Sequence, residues 1–227
     1  KNPVILVGHE IATDRAFEEA GNMADVLGCA VYQQTVQYGA HFPSTHPCFM
    51  GALSRDQQQV RDVLSPYDLL IVLGADVLRM SVWAPVEPLP DGMPIIQIGQ
   101  RDWEMGKNFP TEMAVRADIK ETMAALTPIL EKRGGPNLKS KSTKNKEVLR
   151  SKNWTKTREG LTKQLKELPK SGAIDPSWML MTIIDSMPED TIFVDEGIIS
   201  TRSLPALLPY RDETSLFGMA SGGIGWG

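Results

Sequence analysis

Residues 69–73 form the uninterrupted apolar run LLIVL, which ends at Gly74. A strand of this composition is buried on both faces, as happens in parallel sheets that are covered by helices. Other apolar runs at residues 4–7 and 94–98 alternate with a segment of helical periodicity at residues 15–27. The alternation predicts an α/β fold, with a parallel, Rossmann-like sheet in the first part of the chain.

The remaining patterns predict elements that complete this sheet and begin a second folded unit. The expected strands cover residues 29–32, 113–117 and 191–194, and the expected helices cover residues 56–64, 119–130, 176–187 and 200–208. Asp14 is the expected N-cap of the helix at 15–27, and Gly28 supplies the positive φ that ends this helix. The chain divides into a first domain at 1–131, a basic flexible linker at 132–171 and a second domain at 172–227.

Positive charge is concentrated between residues 132 and 170, which hold 13 Lys and Arg against three Glu. The local charge is +10 while the whole chain carries −4, so the other residues together carry −14. Such a run is typical either of a nucleic-acid contact, whose affinity falls steeply with salt, or of a solvated linker. Trp154 is its single aromatic residue, and the run separates two folded patterns, so we expect a mobile linker and no nucleic-acid partner.

Two cysteines, Cys29 and Cys48, are too few for a disulfide framework or a paired-cysteine metal site. We expect both to be small buried apolar residues in a reducing, cytoplasmic protein. The chain starts in an apolar run without a signal peptide, and no stretch approaches the roughly 18 apolar residues of a membrane span. Because it lacks an initial Met and stops at GWG within a glycine-rich motif, we expect an internal piece of a longer protein.

Five short stretches, spread in order over nearly the whole chain, resemble one enzyme family. They are VILVG at 4–8, FPSTHPCF at 42–49, VLGA at 72–75 followed by LR at 78–79, DEG at 195–197, and ASGGIG at 220–225. Together they resemble the thiamine-diphosphate-dependent decarboxylases and lyases, and among these the benzoylformate decarboxylases. A glycine pair is common in proteins, but FPSTHPCF on a loop followed later by GGIG is specific.

The resemblance implies a whole enzyme of three successive α/β domains, of which residues 1–131 match the middle domain. Residues 172–227 match the first part of the diphosphate-binding domain. The implied activity is that of a carbon–carbon lyase acting on 2-keto acids, by decarboxylation or carboligation through a C2 ylid of the cofactor. Thiamine diphosphate and Mg²⁺ are the implied cofactors, and a homo-oligomer, dimer or tetramer, is the implied assembly.

Two parts of the family pattern do not occur in these 227 residues: the Gly-Asp-Gly metal motif and the domain with the activating glutamate. We therefore expect the chain alone to be inactive, and we assign it no catalytic side chain and no metal ligand. The alternative function is a nucleotide-binding module that holds FAD or ADP without catalysis. Such modules typically carry Gly-x-Gly-x-x-Gly after the first strand. This sequence has GHEIAT at 8–13, which lacks the second and third glycines.

Gly222, Gly223 and Ile224 are candidate cofactor-binding residues. Glycine lets the backbone approach a flat ring closely. By the resemblance, the Gly222 carbonyl accepts a hydrogen bond from the 4′-amino group of the cofactor, and Ile224 supports the bend between its two rings. The structural alternative is a strand-to-helix turn that needs glycine for packing alone.

Glu196, Gly197, Ile198 and Ile199 are further candidates, at positions where the family contacts its cofactor. Benzoylformate decarboxylases have hydroxyl side chains at the positions of Ile198 and Ile199. In this chain only backbone N–H groups can bind the diphosphate there, with the Ser200 hydroxyl one residue later. Glu196 is expected beside the cofactor, but adjacent strand residues point to opposite faces, so no acid–base pair with its neighbour is expected.

Ser81 is the candidate substrate-binding residue, with an exposed loop serine as the alternative. The resemblance implies a histidine at this position, shortly after the Gly-Ala strand end. An imidazole titrates near neutral pH and transfers protons, whereas an unactivated serine hydroxyl does not, so a different 2-keto acid or end product is expected. His46 is expected to be structural, because His9 and His41 are too scattered to complete a metal site with it.

Overall fold

The computed structural model describes residues 1–169 and 171–219 of the chain. The first six strands are β1 Pro3–Val7, β2 Ala30–Gln33, β3 Phe49–Ala52, β4 Leu69–Leu73, β5 Ile95–Gly99 and β6 Met113–Arg116. They form one sheet in the order β3-β2-β1-β4-β5-β6, and every pairing in it is parallel. The predicted α/β fold class with a parallel, Rossmann-like sheet is confirmed.

Helices connect these strands and continue beyond them. They are α1 His9–Thr13, α2 Phe17–Leu27, α3 Gln57–Leu64, α4 Ile119–Arg150, α5 Trp154–Lys166, α6 Pro176–Ser186 and α7 Leu204–Leu207. Strands β7 Phe193–Asp195 and β8 Leu216–Gly218 pair in parallel as a separate two-stranded sheet. Of the expected helix at 200–208, only the part Leu204–Leu207 is helical. Strands β3 and β8 were not among the predicted elements.

The centre of the large sheet is its most buried part. Leu70, Val72 and Leu73 of β4 are fully buried, which agrees with the uninterrupted apolar run in the sequence. Strand β1 lies between β2 and β4, so the strand order reverses there. With right-handed crossovers, such a reversal sends the connecting helices to opposite faces and leaves a crevice at the carboxyl ends of β1 and β4.

The predicted N-cap at Asp14 is wrong. Helix α1 occupies part of the expected loop, and α2 begins only at Phe17, after Ala16. Arg15 has a left-handed backbone (φ 53°), which interrupts the helix expected at 15–27. Asp14 Oδ2 instead accepts a hydrogen bond from the Ile119 N–H, 3.1 Å away, at the start of α4. At the other end of α2, Gly28 has the predicted left-handed conformation.

The prediction of a flexible linker is wrong over residues 132–150 and 154–166, which are helical. Helix α4 bends at Gly135 (φ 54°, ψ −153°) and continues to Arg150. Its second half packs on α2: Lys146 Nζ lies 2.8 Å from Asp25 Oδ1, and the Ser142 hydroxyl donates to the Asp25 carbonyl at 2.6 Å. Apolar residues are too sparse there to show a helical period, so sequence pattern alone missed this contact. The domain boundaries stay a prediction.

Residues 172–219 dock on the first domain through the loop that contains FPSTHPCF. The Gly218 N–H donates to the Tyr38 carbonyl at 2.8 Å, next to an antiparallel bridge between Gly39 and Phe217. Further along the loop, Ser44 and Tyr210 exchange two hydrogen bonds, of 3.0 and 2.8 Å. Backbone hydrogen bonds therefore join the two units directly.

His46 and Cys48, which were expected to be structural, lie in the same loop. His46 Nδ1 accepts a hydrogen bond from the Cys48 N–H at 3.2 Å, and the His46 ring meets Phe42 edge to face. Both cysteines are buried, and burial raises the pKa of the Cys48 thiol to about 12. The expectation that Cys29 and Cys48 act as small buried apolar residues is confirmed. None of the described helices is long and apolar enough to cross a bilayer.

Candidate functional site

A cavity of about 520 Å³ lies beyond the carboxyl ends of β2, β7 and β8. The first domain contributes the segment 35–38 together with Arg55 and Arg79, and the second unit contributes Asp195 and the turn that follows it. Ligands of open α/β sheets bind outside the carboxyl ends of strands, and the volume is that of a small-molecule site. This cavity is therefore the candidate functional site.

Two interlocked loops build the first-domain wall. The Thr35 hydroxyl accepts a hydrogen bond from the Arg79 N–H at 3.0 Å and donates one to the Arg79 carbonyl at 3.1 Å. Arg79 Nη1 donates to the Tyr38 hydroxyl at 3.0 Å. Because the Thr35 hydroxyl holds both main-chain polar groups of Arg79, the Arg79 side chain extends from a fixed backbone.

Backbone strain lies directly before this arginine. Leu78 is buried with a left-handed backbone (φ 50°), which costs an L-residue other than glycine about 1–2 kcal/mol. Such a conformation persists only where the surrounding contacts impose it, and these positions cluster at functional sites. The strain supports the interpretation that the position of Arg79 is functional.

A turn after β7 builds the opposite wall. The Gly197 N–H donates to Asp195 Oδ1 at 2.8 Å, and a Cβ atom at Gly197 would lie 2.4 Å from Thr201 Oγ1. Within the described part of the chain, the next four N–H groups, at residues 198–201, donate no hydrogen bond. Successive unpaired N–H groups beside a cavity are suited to bind the oxygens of an anion such as a phosphate.

The crevice at the strand reversal is filled by charged side chains. Arg101 Nε lies 2.9 Å from Glu10 Oε1, and Arg101 Nη1 lies 3.0 Å from Asp76 Oδ1. The space that remains is about 10 Å³, enough for one water molecule. Glu10 also places negative charge in the first turn of α1, where a dinucleotide would put its diphosphate. The geometry of this crevice does not support the nucleotide-binding alternative.

Residues 1–126 match the family model of the thiamine pyrophosphate enzyme central domain. The chain belongs to the thiamine pyrophosphate enzymes. Benzoylformate decarboxylase from Pseudomonas aeruginosa is 25% identical over all 227 residues, and the chain spans only 39% of its length.

Solved structures of thiamine-diphosphate enzymes share the fold. A thiamin diphosphate-dependent enzyme from Mycobacterium smegmatis aligns with a TM-score of 0.75 and 23% identity, over 100% of this chain and 40% of its own. The 4-hydroxybenzoylformate decarboxylase of Rhodococcus jostii aligns with a TM-score of 0.74 and 23% identity, over 98% of this chain and 38% of its own. At this identity the likeness shows the fold alone.

The family's expected cofactor residues fall in three places. Gly197 and Ile198 line the cavity. Glu196 is half-buried and Ile199 is exposed; neither is among the lining residues, but each is next in sequence to one of them. The third group, Gly222, Gly223 and Ile224, lies outside the described residues.

Ser81 is exposed and does not line the cavity. Its N–H donates to the Arg55 carbonyl at 2.9 Å, so it sits directly behind a residue that does. Sequence reasoning assigned no role to Arg55 and Arg79. For Arg79 the sequence did contain a signal: it follows the buried strand β4 by a few residues, where open α/β sheets place their ligands.

Metal ligands were not expected in this chain. Across residues 1–169 and 171–219, no three His, Cys, Asp or Glu side chains cluster closely enough to hold a metal ion. The described residues thus fit a diphosphate through N–H groups but do not themselves fit Mg²⁺, whose usual ligands are carboxylate oxygens and waters.

Proposed function

We propose that the chain is part of a thiamine-diphosphate-dependent carbon–carbon lyase that acts on 2-keto acids, similar to the benzoylformate decarboxylases. The observation that carries the proposal is the cavity of about 520 Å³ with Gly197 and Ile198 in its wall, in a chain of this family. The name of the Pseudomonas aeruginosa relative supports the 2-keto acid as the substrate class.

In this proposal the residues of the chain bind and position the cofactor and the substrate. Bound thiamine diphosphate supplies the electron sink that lets a 2-keto acid lose carbon dioxide. The unpaired N–H groups at 198–201 bind its phosphate oxygens, and Gly197 keeps the turn close enough to present them. Glu196 lies beside the cofactor, and Ser81, two residues after Arg79, adjoins the substrate.

Several parts of the proposal concern the whole enzyme. Gly222 accepts a hydrogen bond from the aminopyrimidine and Gly223 allows its close approach, while Ile224 supports the bend between the rings. Mg²⁺ joins the diphosphate through residues outside this chain, the enzyme is a cytoplasmic homo-oligomer, and the chain alone has no turnover. The span of 39% of the Pseudomonas aeruginosa relative supports this division of the site between segments.

The full-length protein is expected to release carbon dioxide from a 2-keto acid only with thiamine diphosphate and Mg²⁺. The measurement is carbon dioxide release from a panel of aromatic and aliphatic 2-keto acids, with each cofactor left out in turn. Release that does not depend on thiamine diphosphate, or no release from any substrate, would contradict the proposal.

The diphosphate position is tested in the same assay with Gly197→Ala. The added Cβ pushes against Thr201, and the concentration of thiamine diphosphate that gives half-maximal activity is expected to rise about tenfold, equivalent to about 1.4 kcal/mol. Gly160→Ala, where the new Cβ meets open space on α5, is the matched control and is expected to change nothing.

Ser81→His is expected to raise turnover of an aromatic 2-keto acid about tenfold or more, because an imidazole restores a group that transfers protons near neutral pH. The measurement is kcat for benzoylformate as a function of pH, in which a new ionisation near 6–7 should appear. An unchanged kcat and pH profile would place Ser81 outside the reacting centre.

A further inference from the structure

Three arginines, Arg55, Arg79 and Arg202, line the candidate cavity. They come from separate elements: Arg55 follows β3, Arg79 follows β4, and Arg202 belongs to the turn after β7. Among the described lining residues the single carboxylate is Asp195, which already accepts a hydrogen bond from the Gly197 N–H. The lining thus carries more positive than negative charge.

The charges of the three arginines are not equally compensated. Arg79 Nη2 lies 2.9 Å from Asp76 Oδ2 and 3.8 Å from Glu104 Oε1, so its charge is balanced by carboxylates behind the wall. Within residues 1–169 and 171–219, the side chains of Arg55 and Arg202 form neither an ion pair nor a hydrogen bond. Two uncompensated guanidinium groups therefore adjoin the cavity.

We infer that Arg55 and Arg202 bind a second anionic group of the substrate, at the end remote from the keto group. A guanidinium presents paired N–H donors that match a carboxylate or a phosphate-like oxygen pair. This inference rests on the proposed 2-keto acid activity and narrows it to keto acids with a distal anion, of which a 2-keto dicarboxylic acid is the simplest.

The reacting carboxylate is a poor partner for these arginines. Decarboxylation converts that group into neutral carbon dioxide, so its negative charge is lost as the carbon–carbon bond breaks. Two guanidinium groups bound to it would stabilise the ground state more than the transition state and slow the reaction. A distal anion keeps its charge throughout, so binding it strengthens the complex without that penalty.

The test compares 2-oxoglutarate with 5-methyl-2-oxohexanoate, in which an isopropyl group of similar shape replaces the distal carboxylate. In the full-length protein, kcat/KM is expected to favour 2-oxoglutarate. In the double variant Arg55→Met, Arg202→Met this preference is expected to fall about 100-fold, from the loss of two charge-assisted contacts. Arg116→Met, at an exposed arginine outside the cavity, is the matched control and should leave the preference unchanged.

Three results would overturn the inference. One is a preference for the neutral substrate, and another is a preference that the double variant leaves intact. The third is an equal rise, for both substrates, in the thiamine diphosphate concentration that the double variant needs, because the arginines would then bind the cofactor.

A binding measurement separates this inference from the proposed function. Glutarate lacks the keto group, and its binding to the full-length protein can be measured by calorimetry without turnover. Glutarate binding that the double variant loses would support the anion site even if no 2-keto acid releases carbon dioxide. If glutarate binds equally to both proteins, or to neither, the anion site is wrong.

Discussion

Arg101→Met is expected to lower the free energy of unfolding of the chain by about 3–5 kcal/mol at pH 7. Arg101 bridges the carboxylates of Glu10 and Asp76 at 2.9 and 3.0 Å, and both side chains are almost fully buried. Methionine keeps most of the volume but leaves the buried Glu10 carboxylate without its ion-pair partner, whereas Asp76 retains its contact with Arg79. Urea denaturation followed by circular dichroism measures the loss.

An exposed ion pair of the same chain provides the control for this loss. Arg116→Met breaks the exposed pair with Asp102 and should cost less than about 1 kcal/mol. Equal losses in the two variants would show that the buried charges are not the cause.

The free energy of unfolding of the wild-type chain falls between pH 7 and pH 3. In His41→Leu this fall is expected to be smaller by about 4 kcal/mol. His41 is fully buried, and burial, together with the positive charge that nearby His9 can carry, lowers its pKa from 6.5 to about 3. Within the described residues neither ring nitrogen has a hydrogen-bond partner. The unfolded chain binds this proton below pH 6.5 and the folded chain does not, so stability falls with pH through that window.

The measurement is the urea midpoint of wild type and variant at several pH values from 7 to 3. Carboxyl groups also titrate in this range, but they do so in both proteins, so the difference between the two curves isolates the histidine. His9→Leu is the control: burial and then Arg101 lower the pKa of His9 too, but His9 is only half-buried, and a smaller flattening is expected. Parallel curves for wild type and His41→Leu would contradict the prediction.

Sequence patterns were reliable where one physical signal dominated. The apolar run at 69–73 predicted β4, and Gly28 predicted the end of α2, because continuous burial and positive φ each leave few other options. The helix expected at 176–187 is present as α6, where the Asp175 carboxylate accepts from the Ser177 and Trp178 N–H groups.

The failures arose where contacts distant in sequence decided the structure. Asp14 binds the start of α4, about 100 residues further along the chain, so its capping preference was not used locally. The lysine-rich segment is held on α2 by Asp25, which no local pattern indicates. The two unpaired arginines of the cavity, Arg55 and Arg202, lie on separate elements, and only the fold brings them together.

The loop carrying FPSTHPCF has one more consequence. Because Tyr38 and Ser44 bind the second unit through main-chain hydrogen bonds, the two walls of the cavity cannot swing apart as on a hinge without breaking them. A ligand would enter a pocket that is already assembled, and the free energy of binding would be spent on little reorganisation of the polypeptide. Different ligands would then be accommodated by rotamer changes of long side chains at the rim, above all of the arginines.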